Sequence, residues 1–100
     1  MVDAVEKTEV TITLKQPIVM KERTISEITL REPTAAQLDM AEDAGKRNDM
    51  ARTIKLIALV SNNHENVIRN MLGSDLAKAS KIVTDFLDIG QETGENSSQT

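Results

Sequence analysis

Ile25-Ser26-Glu27-Ile28-Thr29-Leu30-Arg31-Glu32-Pro33-Thr34 is the stretch that decides the fold, because the chain passes there from strand chemistry to helix chemistry. Thr24, Ile25, Thr29 and Leu30 favour extended backbone, so a strand is expected from Arg23 to Arg31, although Ser26-Glu27 interrupts its alternation. Leu30 closes the apolar pattern. Pro33 then keeps Glu32 out of helical geometry, and Thr34 with Gln37 three residues later forms a capping box. The helix predicted from Ala35 carries Leu38, Met40 and Ala41 and runs to Ala44. Gly45 supplies its stop, and Lys46-Arg47 complement the negative end of its dipole.

Upstream of this junction, Val10, Ile12 and Leu14 alternate with Thr11, Thr13 and Lys15, the period-2 pattern of a strand with one buried face. Gln16 to Glu22 reads as a connection longer than a two-residue turn, with Pro17 ending the first strand's ladder. The two strands make an antiparallel β-hairpin whose tip, Ile18-Val19-Met20, is apolar. Either the tip contacts a partner or it folds over the helices. A lone hairpin is marginal, so helices must cover its apolar face.

Downstream, a helix is expected over Asn48–Ser61, with Met50, Ile54 and Ile57 on one line and Leu56 and Val60 beside it. At 100° per residue Leu59 falls between Arg52 and Lys55 on the opposite face, where an isolated domain would expose it. Asn62-Asn63 breaks the pattern before a short helix over His64–Leu72 that Gly73 stops. Ser74 is expected to cap a last helix, Asp75–Ile89. In it Leu76, Ala79, Ile82, Val83, Phe86, Leu87 and Ile89 share one arc, opposite Lys78, Lys81, Thr84, Asp85 and Asp88. From Gly90 to Thr100 every residue is polar or glycine. The expected fold class is therefore α+β: an N-terminal antiparallel β-hairpin followed by a compact cluster of three to four α-helices. Residues 1–8 are expected as a flexible N-terminus, 9–89 as a single domain (hairpin 9–31, helices 34–89), and 90–100 as a disordered polar tail.

Composition narrows the functions this domain can have. One hundred residues fill one core, and with Phe86 the only aromatic that core is aliphatic. Twelve Lys and Arg against sixteen Asp and Glu give a net charge of −4, which repels a phosphate backbone unless the basic residues converge on one face. The absence of cysteine excludes a disulfide framework or a thiolate zinc site and suits a reducing cytoplasm. The start, Met1-Val2-Asp3 with Glu6, Lys7 and Glu9 following, does not resemble a secretory signal. The longest apolar run, Leu56 to Val60, is far short of the ~20 residues that span a bilayer. No membrane partner is expected.

The residues that could carry chemistry read as structural. His64 is the only histidine, so a multi-histidine metal site is unavailable and a nucleophile–histidine–acid triad would have to use it, yet no nucleophile motif such as Gly-x-Ser-x-Gly occurs, and it suits a first helical turn. Gly45, Gly73, Gly90 and Gly94 make no phosphate-cradling loop. Asp39, Glu42 and Asp43 form an acidic edge that reads as a solvated helix face. No catalytic, cofactor-binding or metal-ligating residue is expected. The two helices around Asn62-Asn63 invite comparison with a helix-turn-helix, but the second carries only one arginine, Arg69, together with Glu65. Among the methionines, Met50 and Met71 fit core positions, while Met20 and Met40 suit either packing or an adaptable contact.

The order of elements, with Val10-Thr11-Ile12-Thr13-Leu14, then Ile25 through Leu30-Arg31-Glu32-Pro33-Thr34, then small acidic and apolar helices, resembles the small tail assembly chaperones of contractile-tailed and related phages, the Mu-like and P2-like group. The resemblance runs from about Glu9 to Asp88. It implies a non-enzymatic protein of the host cytoplasm, absent from the mature virion. Such a protein binds the tape-measure protein, keeps it soluble and promotes assembly of tail-tube subunits around it. It also implies a longer, frameshifted form of the same chain, for which residues 90–100 are a tolerant place of extension. The resemblance transfers no catalytic residue. Exposure in this sequence instead nominates Ile18, Val19, Met20, Arg52, Lys55 and Leu59 as partner-binding residues. The alternative function is a small DNA-binding transcriptional regulator, which needs the scattered basic residues to converge.

Overall fold

The computed structural model describes residues 9–91, and the side chains of 9–87. The expected flexible start and most of the expected polar tail lie outside these residues. The chain runs β1 (Glu9–Met20), β2 (Arg23–Arg31), α1 (Ala35–Gly45), α2 (Asp49–Ser61), α3 (Glu65–Arg69) and α4 (Gly73–Gln91). The α+β class, with an antiparallel hairpin ahead of four helices, is the one the residue pattern predicts. The inner face of the hairpin carries Ile12, Leu14, Ile18, Ile28 and Leu30, all buried against Ile54, Ile57 and Val60 of α2, Val67 and Ile68 of α3, and Ala79, Val83 and Phe86 of α4. On the outer face the Thr11 and Thr29 hydroxyls pair across the strands at 2.8 Å, and Arg31 reaches Glu9 at 2.9 Å. That face is polar, as one open to water should be.

The hairpin departs from the expected one at its distal half. β1 does not end at Pro17, and the link is only Lys21-Glu22, since Met20 pairs with Arg23. The ladder runs regularly from Glu9↔Arg31 to Thr13↔Glu27 and then resumes at Ile18↔Ile25, so Leu14 to Pro17 stand opposite Ser26 alone. This bulge of three extra residues gives Pro17 a place in the strand where its missing N–H breaks no ladder bond. It also resolves the interrupted alternation. Ile25 and Ile28 are three apart and cannot share a face of a regular strand, yet with the offset pairing Ile28 is buried and Ile25 packs against the core. The amides that the bulge frees are satisfied by Asp75 of α4, whose carboxylate accepts from the Lys15 N–H at 3.0 and 2.9 Å and from the Gln16 N–H at 3.3 Å.

The helices are bounded by their caps. The Thr34 N–H donates to Gln37 Oε1 at 3.0 Å and the Gln37 N–H to Thr34 Oγ1 at 3.1 Å, the capping box read from the sequence. Asn48 caps α2 through the Ala51 N–H at 2.7 Å, and Asn62, with φ 58°, ends it in the left-handed region that asparagine tolerates. His64 Nδ1 accepts from the Asn66 N–H at 3.1 Å, so the single histidine is the N-cap of α3. That helix is shorter than the expected His64–Leu72. Gly73 opens α4 instead of stopping α3, because the Leu76 N–H already bonds the Leu72 carbonyl at 2.9 Å. Ser74 is therefore inside the helix and not its cap. At its other end α4 continues to Gln91, two residues beyond the expected Ile89.

Candidate interaction surface

α1 lies on the face of α2 that the helical wheel leaves exposed. A Cβ on Gly45 would stand 3.2 Å from both Cβ and Cδ of Arg52, so the two helices approach closely at the end of α1 and a side chain there would make Arg52 give by a few tenths of an ångström. Arg52 is turned to Glu42, with Nη1 3.2 Å from Oε2, and at the other end of the contact Gln37 Nε2 donates to the Leu59 carbonyl at 3.4 Å. This packing corrects the expectation for Leu59. Its side chain is half-buried, and it lines a shallow hollow with Arg31, Thr34 and Gln37. Met50 is displaced the other way. Read as a core position, it is 57% exposed, because it sits in the first turn of α2, beyond the reach of the hairpin core.

The six nominated contact residues do not form one patch. Ile18 is 2% exposed and belongs to the core, because the bulge puts it opposite Ile25 on the inner face, so the exposure expected of it is absent. Val19 beside it is 75% exposed, and Met20 is half-buried against the core. Arg52 lies exposed on α2 between α1 and α4. Lys55 is on the side of α2 facing α3, with Nζ 3.1 Å from Glu65 Oε2.

A different surface brings apolar side chains together. Between α1, α2 and α4 runs a cleft of about 260 Å³, floored by Ala41, Ile57 and Val83 and walled by Leu38, Leu56 and Leu87. The floor is fully buried, while the three leucines are half-exposed, one from each helix. The Glu42–Arg52 pair closes part of the rim and Thr84 forms another part. The volume is below the roughly 300–1,000 Å³ of ordinary small-molecule sites, and apart from that ion pair the polar groups are hydroxyls at the margin. The cleft suits side chains of a partner better than a substrate. Sequence reasoning missed it because Leu56 read as a core flank and Leu87 as part of the apolar arc of the last helix. Only their tertiary neighbours show that α1 and α4 stand apart over α2.

Electrostatics argue against a phosphate-binding face. Lys46, Arg52, Lys55, Arg69 and Lys81 each lie within ion-pair distance of Asp or Glu. Glu65 is the focus of one such network: a hydrogen bond from Lys55 holds its carboxyl below the usual range against some desolvation, helped by the charges of Lys55, Arg69 and Arg47. α3, of five residues, is too short to present a recognition helix to a groove. Among the described residues no group of three or more His, Asp or Glu could hold a metal ion, and no helix is long and apolar enough to cross a membrane.

These features define a class: a small α+β domain in which about half of the basic side chains are paired within the fold and an apolar cleft lies open between three helices. Over residues 11–88 the chain matches the family described as phage tail assembly chaperone proteins, E, or 41 or 14, and it belongs to that family. The matched stretch covers β2, α1, α2 and α3 entirely and most of β1 and α4. No curated protein and no solved structure gives a significant match. The family is one of chaperones and not an enzyme class, and its members act with tail proteins.

Proposed function

We propose that this chain binds the phage tape-measure protein, keeps it soluble in the host cytoplasm, promotes assembly of tail-tube subunits around it and leaves before the particle is complete. The observation that carries the reading is family membership over residues 11–88. Physical chemistry supports it. A long helical partner exposes apolar stripes until the tube encloses it, and the half-exposed Leu38, Leu56 and Leu87 offer a cleft that one such stripe can enter. Each bound copy brings a net charge of −4, which opposes self-association of the complex. The chain has no Trp or Tyr, the side chains that most often anchor tight interfaces, and this suits a partner that must be released. The tail-tube protein and a longer frameshifted form of the chain are further partners under this proposal. Val19 and Met20 at the hairpin tip, Arg52 at the margin of the cleft, and Lys55 and Leu59 away from it on α2 remain candidate contacts.

The test of the contact face uses an exposed position. Thr84→Arg puts a long side chain on the cleft rim at a helical site where arginine is well tolerated. We expect it to weaken co-elution with the tape-measure protein of the same genome at least tenfold without moving the thermal midpoint. Val19→Asp makes the same comparison for the tip. Binding unaffected by Thr84→Arg would remove the cleft from the proposal, and failure of the unaltered chain to bind would remove the function.

A further inference from the structure

We infer that Asp75, projecting from the first turn of α4, selects the register of the hairpin and thereby fixes which residues form its tip. The inference rests on the hairpin itself and does not depend on the identity of the partner. Two pairings of the same strands are open to this sequence. In the first, the phase of Glu9↔Arg31 through Thr13↔Glu27 continues unbroken, which would pair Gln16 with Thr24 and Pro17 with Arg23 and leave a loop of Ile18 to Glu22. In the second, the one observed, three extra residues bulge from β1, Val19 pairs with Thr24, and the turn shrinks to Lys21-Glu22. The first keeps a full ladder but puts Ile18 in the loop and Ile25 opposite Lys15. The second buries Ile18 and packs Ile25 against the core, at the cost of backbone N–H groups that lose their cross-strand partners.

Asp75 removes that cost. Its side chain is buried, with the residue 4% exposed, and both carboxylate oxygens are engaged with the Lys15 and Gln16 amides. The next residue, Pro17, has no N–H to satisfy. The carboxylate is also at a helix N-terminus, where negative charge is favourable. One side chain of α4 therefore accepts from the bulge in β1, and through the bulge it places Val19 outward and Ile18 inward at the tip.

Cysteine pairs report the register directly, since the chain has no cysteine of its own. Residues directly opposite across antiparallel strands lie within disulfide reach, whereas a three-residue slip moves them about 10 Å apart. With Asp75 present, Val19→Cys with Thr24→Cys should cross-link and Gln16→Cys with Thr24→Cys should not. In Asp75→Ala the preference should reverse. If that variant does not fold, Asp75→Asn, which keeps one acceptor oxygen, serves with amide hydrogen exchange. Protection at Lys15 and Gln16 should then fall at least tenfold while Thr11 and Ile28 hold theirs. An unchanged cross-linking preference in Asp75→Ala, neither cross-link forming in that folded variant, or unchanged protection in Asp75→Asn would each overturn the inference.

Discussion

At the scale of single residues, Asp75 and Glu65 show two uses of a carboxylate in one small domain. Asp75 is buried and answers to backbone amides, so its removal costs the observed register the bonds that support it, at about 1–3 kcal/mol. Asp75→Ala is expected to lower the urea midpoint accordingly, whereas Asp85→Ala, which breaks only an exposed pair with Lys81, should shift stability by under about 0.5 kcal/mol. Glu65 is partly exposed, and its Lys55 bond holds its carboxyl below the usual value. A group depressed in the folded state stabilises above its unfolded pKa and loses that contribution as pH falls through the folded one. Glu65→Gln should therefore be less stable than the parent at pH 7, by under about 1 kcal/mol given its exposure. The gap should close as the solution is acidified below about pH 4, in denaturation curves taken across that range.

At the scale of elements, the caps and periods of the helices were legible while their mutual coverage was not. The Thr34–Gln37 box and the αL stop at Asn62 are local chemistry, written in neighbouring residues, and α1 and α2 begin and end within a residue of where that chemistry puts them. The bulge in β1 was hidden because the partner of its free amides lies 60 residues away on α4, though the Ile25-Ser26-Glu27-Ile28 spacing recorded the phase slip it accommodates. The α2 wheel identified the apolar line but not which helix covers the other side. Hence Leu59 was assigned to solvent although α1 lies over it, and Met50 to the core although it projects past the core's edge. The observed rotation makes a stability prediction. Ile57→Ala, at a position 1% exposed, should cost about 2–5 kcal/mol, Met50→Ala should stay within about 0.5 kcal/mol, and half-buried Leu59→Ala should fall between them in chemical denaturation.

At the scale of the whole molecule, the candidate site was less legible than the fold, because a binding surface is a property of separated segments. Leu38, Leu56 and Leu87 come from three helices and carry no common motif, whereas the nominated Arg52, Lys55 and Leu59 share a helical face and are separated by the helices that pack on it. What the sequence did convey at this scale was compositional: an acidic chain with one aromatic, no cysteine and one histidine offers neither a thiolate nor a histidine pair. The family match supplies the positive statement that composition could not. The central claim is that this domain keeps an aggregation-prone tail protein in solution. Its most direct test is the soluble fraction of the tape-measure protein from the same genome, expressed with and without this chain. The account predicts that co-expression moves the tape-measure protein from the pellet to the supernatant and that the two co-purify. A tape-measure protein that remains insoluble beside abundant, folded chaperone, with no complex recovered, would contradict it.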